Sequence, residues 1–184
     1  MRLLFLATQG VDRRAFLLAN ELAKIGHTTT LVSSAKCNSL KVSVSREGSV
    51  TRVSLPRFRK TYDYAGYLVR TFFMPWFVLT QADVIHFFSP HQPSVSLSFM
   101  LARMLNRIAE EVPLVVDWDD QWGRGGLSIQ HGALIHGGVT FLEERIPLHA
   151  HALTAATMML VKRAEGIGVP SHRVFWIPHG SEVF

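Results

Sequence analysis

The residues best equipped for chemistry stand together at Asp117-Trp118-Asp119-Asp120-Gln121-Trp122-Gly123, directly after the apolar run Pro113-Leu114-Val115-Val116. Strands covered on both faces read as near-continuous apolar runs, and open α/β sheets bind ligands in the crevice beyond the carboxyl ends of their strands. The stretch therefore reads as a buried parallel strand that ends in a functional loop. Two carboxylates one residue apart, Asp117 and Asp119, can share a divalent cation, but a lone pair at that spacing is a weak signal. Trp118 and Trp122 can stack on a sugar ring or line a cleft, or they can pack in the core.

Other polar residues fall at similar positions. Gly10 ends the first apolar run and precedes a helix, where backbone amides favour anions; it allows close approach of a phosphate or sugar, or simply makes a turn. The dinucleotide fingerprint G-x-G-x-x-G is missing there. His91 lies in a loop beyond a strand end, on the same side as Asp119, where it could meet a ligand, cap the loop or face solvent. His86 sits inside an apolar strand and reads as a hydrogen-bonded core histidine. His131 and His136 lack a third ligand at zinc-type spacing, so no metal site is expected.

The elements that must position these residues follow from periodicity. Leu3 to Ala7 is a short buried strand. Phe16, Ala19, Leu22 and Ala23 recur at helical spacing behind Asp12, and Gly26 closes that helix. His27 to Ser33 is a second strand, completing a βαβ unit. Lys41–Ser45 and Val50–Leu55 alternate around Arg46-Glu47-Gly48-Ser49, which predicts a hairpin or a strand pair at one edge of the sheet. Asp83–Phe88 is another strand, followed by a helix opening at Pro93 with Val95, Phe99, Ala102 and Leu105 inward. After the flexible Gly123-Arg124-Gly125-Gly126 come a helix over Thr140–His149, a strand over Ala152–Ala155, a helix over Thr157–Glu165 and a last strand, Val174–Ile177. Strands alternating with helices predict an α/β fold, a doubly wound and mainly parallel Rossmann-like sheet with helices on both faces.

The totals set limits. The 184 residues suit one domain, and 48% hydrophobic against 18% charged residues exclude a disordered chain. A net charge of +5 favours anionic partners. No dense Lys/Arg block or nucleic-acid motif is present, so nucleic acid is not an expected partner. Cys37 is the sole cysteine, which excludes an internal disulfide and fits a reducing, cytoplasmic setting. The apolar run after Met1-Arg2 is too short for a secretory leader. Tyr64 to Leu79 is the most apolar piece, yet shorter than the ~20 residues that span a bilayer. Joined to the basic Arg57-Phe58-Arg59-Lys60, it would suit peripheral contact with an anionic membrane at the inner face.

Several of these pieces together resemble the N-terminal half of a GT-B glycosyltransferase of family 4. They are Leu22 to Leu31 with its Gly26-His27, Ala82-Asp83-Val84-Ile85-His86 with the Ser89-Pro90-His91-Gln92-Pro93 loop, Pro113 to Gly123, Ala150 to Gly168, and Arg173 to Gly180. No single motif is specific; their order and spacing are, over nearly the whole chain. The resemblance implies that residues 1–184 form the acceptor-side domain of a retaining, nucleotide-sugar-dependent enzyme, with a cell-surface glycan or lipid-linked saccharide as acceptor. Relatives carry a second Rossmann-like domain that holds the nucleotide-sugar; with that donor-binding half absent, the chain is expected to be inactive alone. A non-catalytic binding or scaffold module paired with a separate chain is the alternative, and a small nucleotide-binding α/β protein a third.

The same resemblance implies that Asp119 and Asp120 face the reaction centre. A carboxylate there accepts the acceptor's proton or steadies a developing positive sugar. Some relatives have a histidine where this chain has Asp119. Gly10 would form the cleft wall, although the family's loop usually has two adjacent glycines, and His91 would meet the acceptor. The Asp-x-Asp letters also occur in the metal-binding signature of the other glycosyltransferase architecture, GT-A. The surrounding pattern is that of GT-B, so no metal or other cofactor is expected and the nucleotide-sugar enters as substrate.

Overall fold

The computed structural model describes residues 1–8, 12–35, 39, 41–57, 69–107 and 111–178. The strands are β1 (Arg2–Leu6), β2 (Thr28–Ser34), β3 (Ser43–Glu47), β4 (Val50–Leu55), β5 (Val84–Phe88), β6 (Leu114–Trp118), β7 (Ala152–Ala155) and β8 (Val174–Trp176). The helices are α1 (Asp12–Lys24), α2 (Pro93–Leu105), α3 (Ala133–Arg145) and α4 (Met158–Gly166), with short 3-10 turns at Met74–Leu79, Leu127–His131 and Pro147–His149. One eight-stranded sheet runs in the order β3-β4-β2-β1-β5-β6-β7-β8. Only the β3–β4 hairpin at the edge is antiparallel; the other neighbours are parallel.

Period-two alternation divides the core. Phe5, Ala7, Leu31 and Phe88 point to one face, where Ala15 and Ala19 of α1 cover them. Leu4, Leu6, Val32, Phe87, Val116 and Leu153 point to the other, under α2 and α4 with Phe99 and Leu160. Phe87 meets Phe99 edge-on, ring centroids 5.3 Å apart. The chain leaves β1 towards β2 and later returns to β5 on β1's other side. That reversal makes a crevice at the carboxyl ends of β1 and β5, the place where such sheets take ligands.

Two elements differ from the expectation. The helix expected at Thr140–His149 begins at Ala133, ends at Arg145 and is followed by a separate 3-10 turn. Gly137 and Gly138 hid its first two turns, since glycine weakens a helix reading without preventing the helix, and Pro147 cannot continue it. The apolar piece expected from Tyr64 is described only from Val69 onward, and tightens to a 3-10 turn at Met74, whose second residue is Pro75.

Candidate active site

The register of three neighbouring parallel strands places Phe88 beside Asp117 and Asp117 beside Thr154. Asp117 is fully buried, on the α1 face of the sheet. An isolated carboxylate is costly there, so the chain pairs it. Arg14 of α1 donates from Nε to Oδ2 at 2.9 Å and from Nη2 to Oδ1 at 3.0 Å, a bidentate fork. The Thr154 hydroxyl donates to Oδ1 as well. Arg14 also donates to the Ile177 carbonyl at 2.8 Å, tying α1 to the segment after β8. His86 is buried in the same layer, 3.4 Å from Thr154 Oγ1 and with its ring centroid 4.4 Å from that of Phe88. Burial, more than the opposing influences of Asp117 and Arg14, pulls its pKa down to about 4.

One residue on, alternation turns the chain to the opposite face. Trp118 is in the core, and its indole Nε1 donates to Glu143 Oε1 at 2.9 Å. The same oxygen accepts from the backbone N–H of Trp122 at 2.8 Å, and Oε2 accepts from that of Gly123 at 2.7 Å. Glu143 is fully buried on α3, with Arg163 Nη2 3.7 Å away and the Arg163 guanidinium over the Trp118 ring. One carboxylate thus organises the loop after β6. Gly123 is required by this close approach, because a Cβ there would come within 2.9 Å of the Thr140 backbone and closer still to Glu143. At Gly126 a Cβ would overlap the Gln121 backbone, so the glycine-rich turn is tightly folded on itself.

Between these two anchors stand the candidate reacting groups. Asp119 is half-buried, its Oδ1 3.8 Å from Arg14 Nε, and Asp120 is exposed. Trp122 stacks on His91, ring centroids 4.8 Å apart at 22°. The structure therefore brings the loop after β5 and the loop after β6 together. His91 is buried, its Nε2 lies 3.1 Å from Gln92 Nε2, and its Nδ1 has no hydrogen-bond partner among the described residues. Burial lowers its pKa to about 4, so it is neutral at pH 7. His91 and Trp122 border a mainly apolar cavity of about 460 Å³ together with Ile135, Val139 and Leu142. Ser89, at the start of the same loop, holds φ +56°, a left-handed conformation rare for a serine and found where loops are constrained.

Of the sequence candidates, Asp119, Asp120, His91 and Trp122 gather around these two loops. Trp118 faces the core and holds the loop from beneath, instead of presenting its ring to the crevice. Gly10 lies outside the described residues. Arg14, Glu143 and Thr154 were missed; one signal for the first network was present, a single polar residue in each of the apolar strands Val84–Phe88, Leu114–Trp118 and Ala152–Ala155.

The chain belongs to the Glycosyl transferase 4-like domain family, whose sequence profile matches residues 9–180. No curated protein matches the sequence. Among solved structures, sucrose-phosphate synthase from Thermosynechococcus elongatus superposes with a TM-score of 0.66 at 12% identity, over 98% of this chain and 48% of that one. A UDP-N-acetylglucosamine 2-epimerase from Rickettsia bellii gives 0.57 at 9% identity, over 96% of this chain and 44% of that one. The fold is that of one Rossmann-like half of a GT-B glycosyltransferase, and the chain spans about half the length of these two proteins. No helix among the described residues is long and apolar enough to cross a membrane.

Proposed function

We propose that this chain is the acceptor-side half of a retaining glycosyltransferase that moves a sugar from a nucleotide-sugar to a cell-surface glycan or lipid-linked saccharide. The observation that carries the reading is the loop after β6. It offers Asp119 and Asp120 beyond a strand's carboxyl end, and Glu143 and Arg14 hold it from two sides. In this reading Asp119, close to Arg14 and half-buried, accepts the acceptor's proton or balances the positive charge that grows on the sugar as the nucleotide leaves. Asp120, open to solvent, binds acceptor hydroxyls. Trp122 and His91 form the wall against which the acceptor rests.

The reading assigns donor binding to a second α/β half, in the same protein or in a partner chain, and calls on no metal. The test is transfer from a panel of labelled nucleotide-sugars to membrane-extracted and soluble saccharides, run on the chain alone and with a donor-binding half. Label should pass to acceptor only when both halves are present, with retention of anomeric configuration and undiminished in EDTA. Donor titrations and transfer assays that stay blank with both halves present would move the chain to a scaffold role.

A further inference from the structure

On α3 the apolar residues are split between the core and the surface. Its only buried residue is Glu143, while Leu134 is 90% exposed, Ile135 56% and Phe141 60%. A helix normally turns its apolar stripe to the core; here the one fully buried side chain is a carboxylate, Leu142 packs half-buried against the core, and the other large apolar residues face out. The surface continues through Leu127 and Ile129 in the preceding 3-10 turn, both exposed, and onto α2, where Met100 and Met104 are more than half exposed. Between α2 and α3 runs an apolar groove of about 800 Å³. Contiguous exposed apolar surface of this kind marks a binding face more often than a free one.

The charges on this face are of one sign. Residues 84–109 and 121–142 contain no Asp or Glu. Of α3's two acids, Glu143 is buried and Glu144 is paired with Arg163 and Arg124. The groove is rimmed by Arg103, Arg107 and Arg145 together with His149. His149 reports the resulting field: its pKa is lowered, first by desolvation and then by those same three arginines.

We propose that the outer face of α2 and α3 docks on a lipid bilayer, with the arginine rim on anionic headgroup phosphates and the leucine, methionine and phenylalanine side chains in the acyl boundary. Arginine suits phosphate oxygens through its planar fork, and an interfacial helix needs one apolar face with basic residues beside it. Leu134, the most exposed of the anchors, lies outside the groove's lining, so the apolar surface extends beyond the groove itself. The inner face of this same helix holds the loop after β6, so docking would hold that loop one helix diameter, ~10 Å, from the membrane surface.

The test is co-sedimentation of the purified protein with vesicles of phosphatidylcholine, with and without phosphatidylglycerol, at low and high salt. Binding is expected only with phosphatidylglycerol, and less of it in high salt. The variant Arg103→Glu/Arg107→Glu/Arg145→Glu should bind about a hundred-fold more weakly. The variant Leu134→Asp/Phe141→Asp, both positions being exposed, should keep its circular dichroism and lose roughly ten-fold or more. Wild-type protein that stays in the supernatant overturns the proposal, as does unaltered binding by both variants. Light scattering that shows a dimer abolished by Leu134→Asp, without vesicle binding, overturns it in favour of a second copy. Sedimentation reads no transfer, so its failure leaves the acceptor-side reading standing.

Discussion

Asp117 and Glu143 are both fully buried acids near the carboxyl edge of the sheet, and the chain satisfies them in opposite ways. Asp117 meets a guanidinium from α1, a charge answered by a charge. Glu143 hydrogen-bonds to two backbone amides and an indole, a charge answered mainly by dipoles, with the Arg163 guanidinium farther off at 3.7 Å. The first arrangement clamps two elements that were already regular. The second fastens a loop that belongs to no helix or strand and adds to its few backbone hydrogen bonds. One holds the base of the site and the other shapes its rim, with Asp119 and Asp120 between them.

The comparison breaks most visibly at the rim. Glu143→Ala leaves three N–H donors without their acceptor and takes one of two carboxylates from beside Arg163, and should cost about 3–5 kcal/mol in urea unfolding. Glu143→Gln, which keeps oxygen at one position, should cost less. The clamp is next: Arg14→Met strands the buried Asp117 carboxylate with only Thr154, an expected loss of about 2–4 kcal/mol. Adding Asp117→Asn should recover part of that loss, and a double-mutant cycle that comes out additive would contradict a direct pair. The smallest effect is the pH response of the wall. His91 titrates near 4 in the fold and near 6.5 when unfolded. Between those values the unfolded chain holds a proton that the folded chain does not, so stability falls as pH drops through this window, by up to about 3 kcal/mol. His91→Gln should flatten the part of the curve that His91 contributes, leaving the part due to His86.

The strands of the mainly parallel sheet, its edge pair and the loop beyond β6 were legible because they rest on local patterns: apolar runs, alternation and turn residues. The start of α3 was not, because Gly137 and Gly138 obscure a helix that packing then supports. Arg14 and Glu143 were hidden for a different reason. Arg13-Arg14 and Glu143-Glu144 carry no local mark that separates one member from the other, and only the tertiary path turns one member inward. Trp118 illustrates the limit of reading a motif as a surface: one step of alternation sends it to the core while Asp119 stays at the crevice. The same step puts Asp117 against α1.

The most direct test of the central claim is the transfer rate of Asp119→Asn in the protein joined to its donor-binding half, read beside its urea midpoint. The account predicts a fall in kcat of about a hundred-fold or more with the midpoint unchanged. Transfer at the wild-type rate would contradict it and return Asp119 to the scaffold.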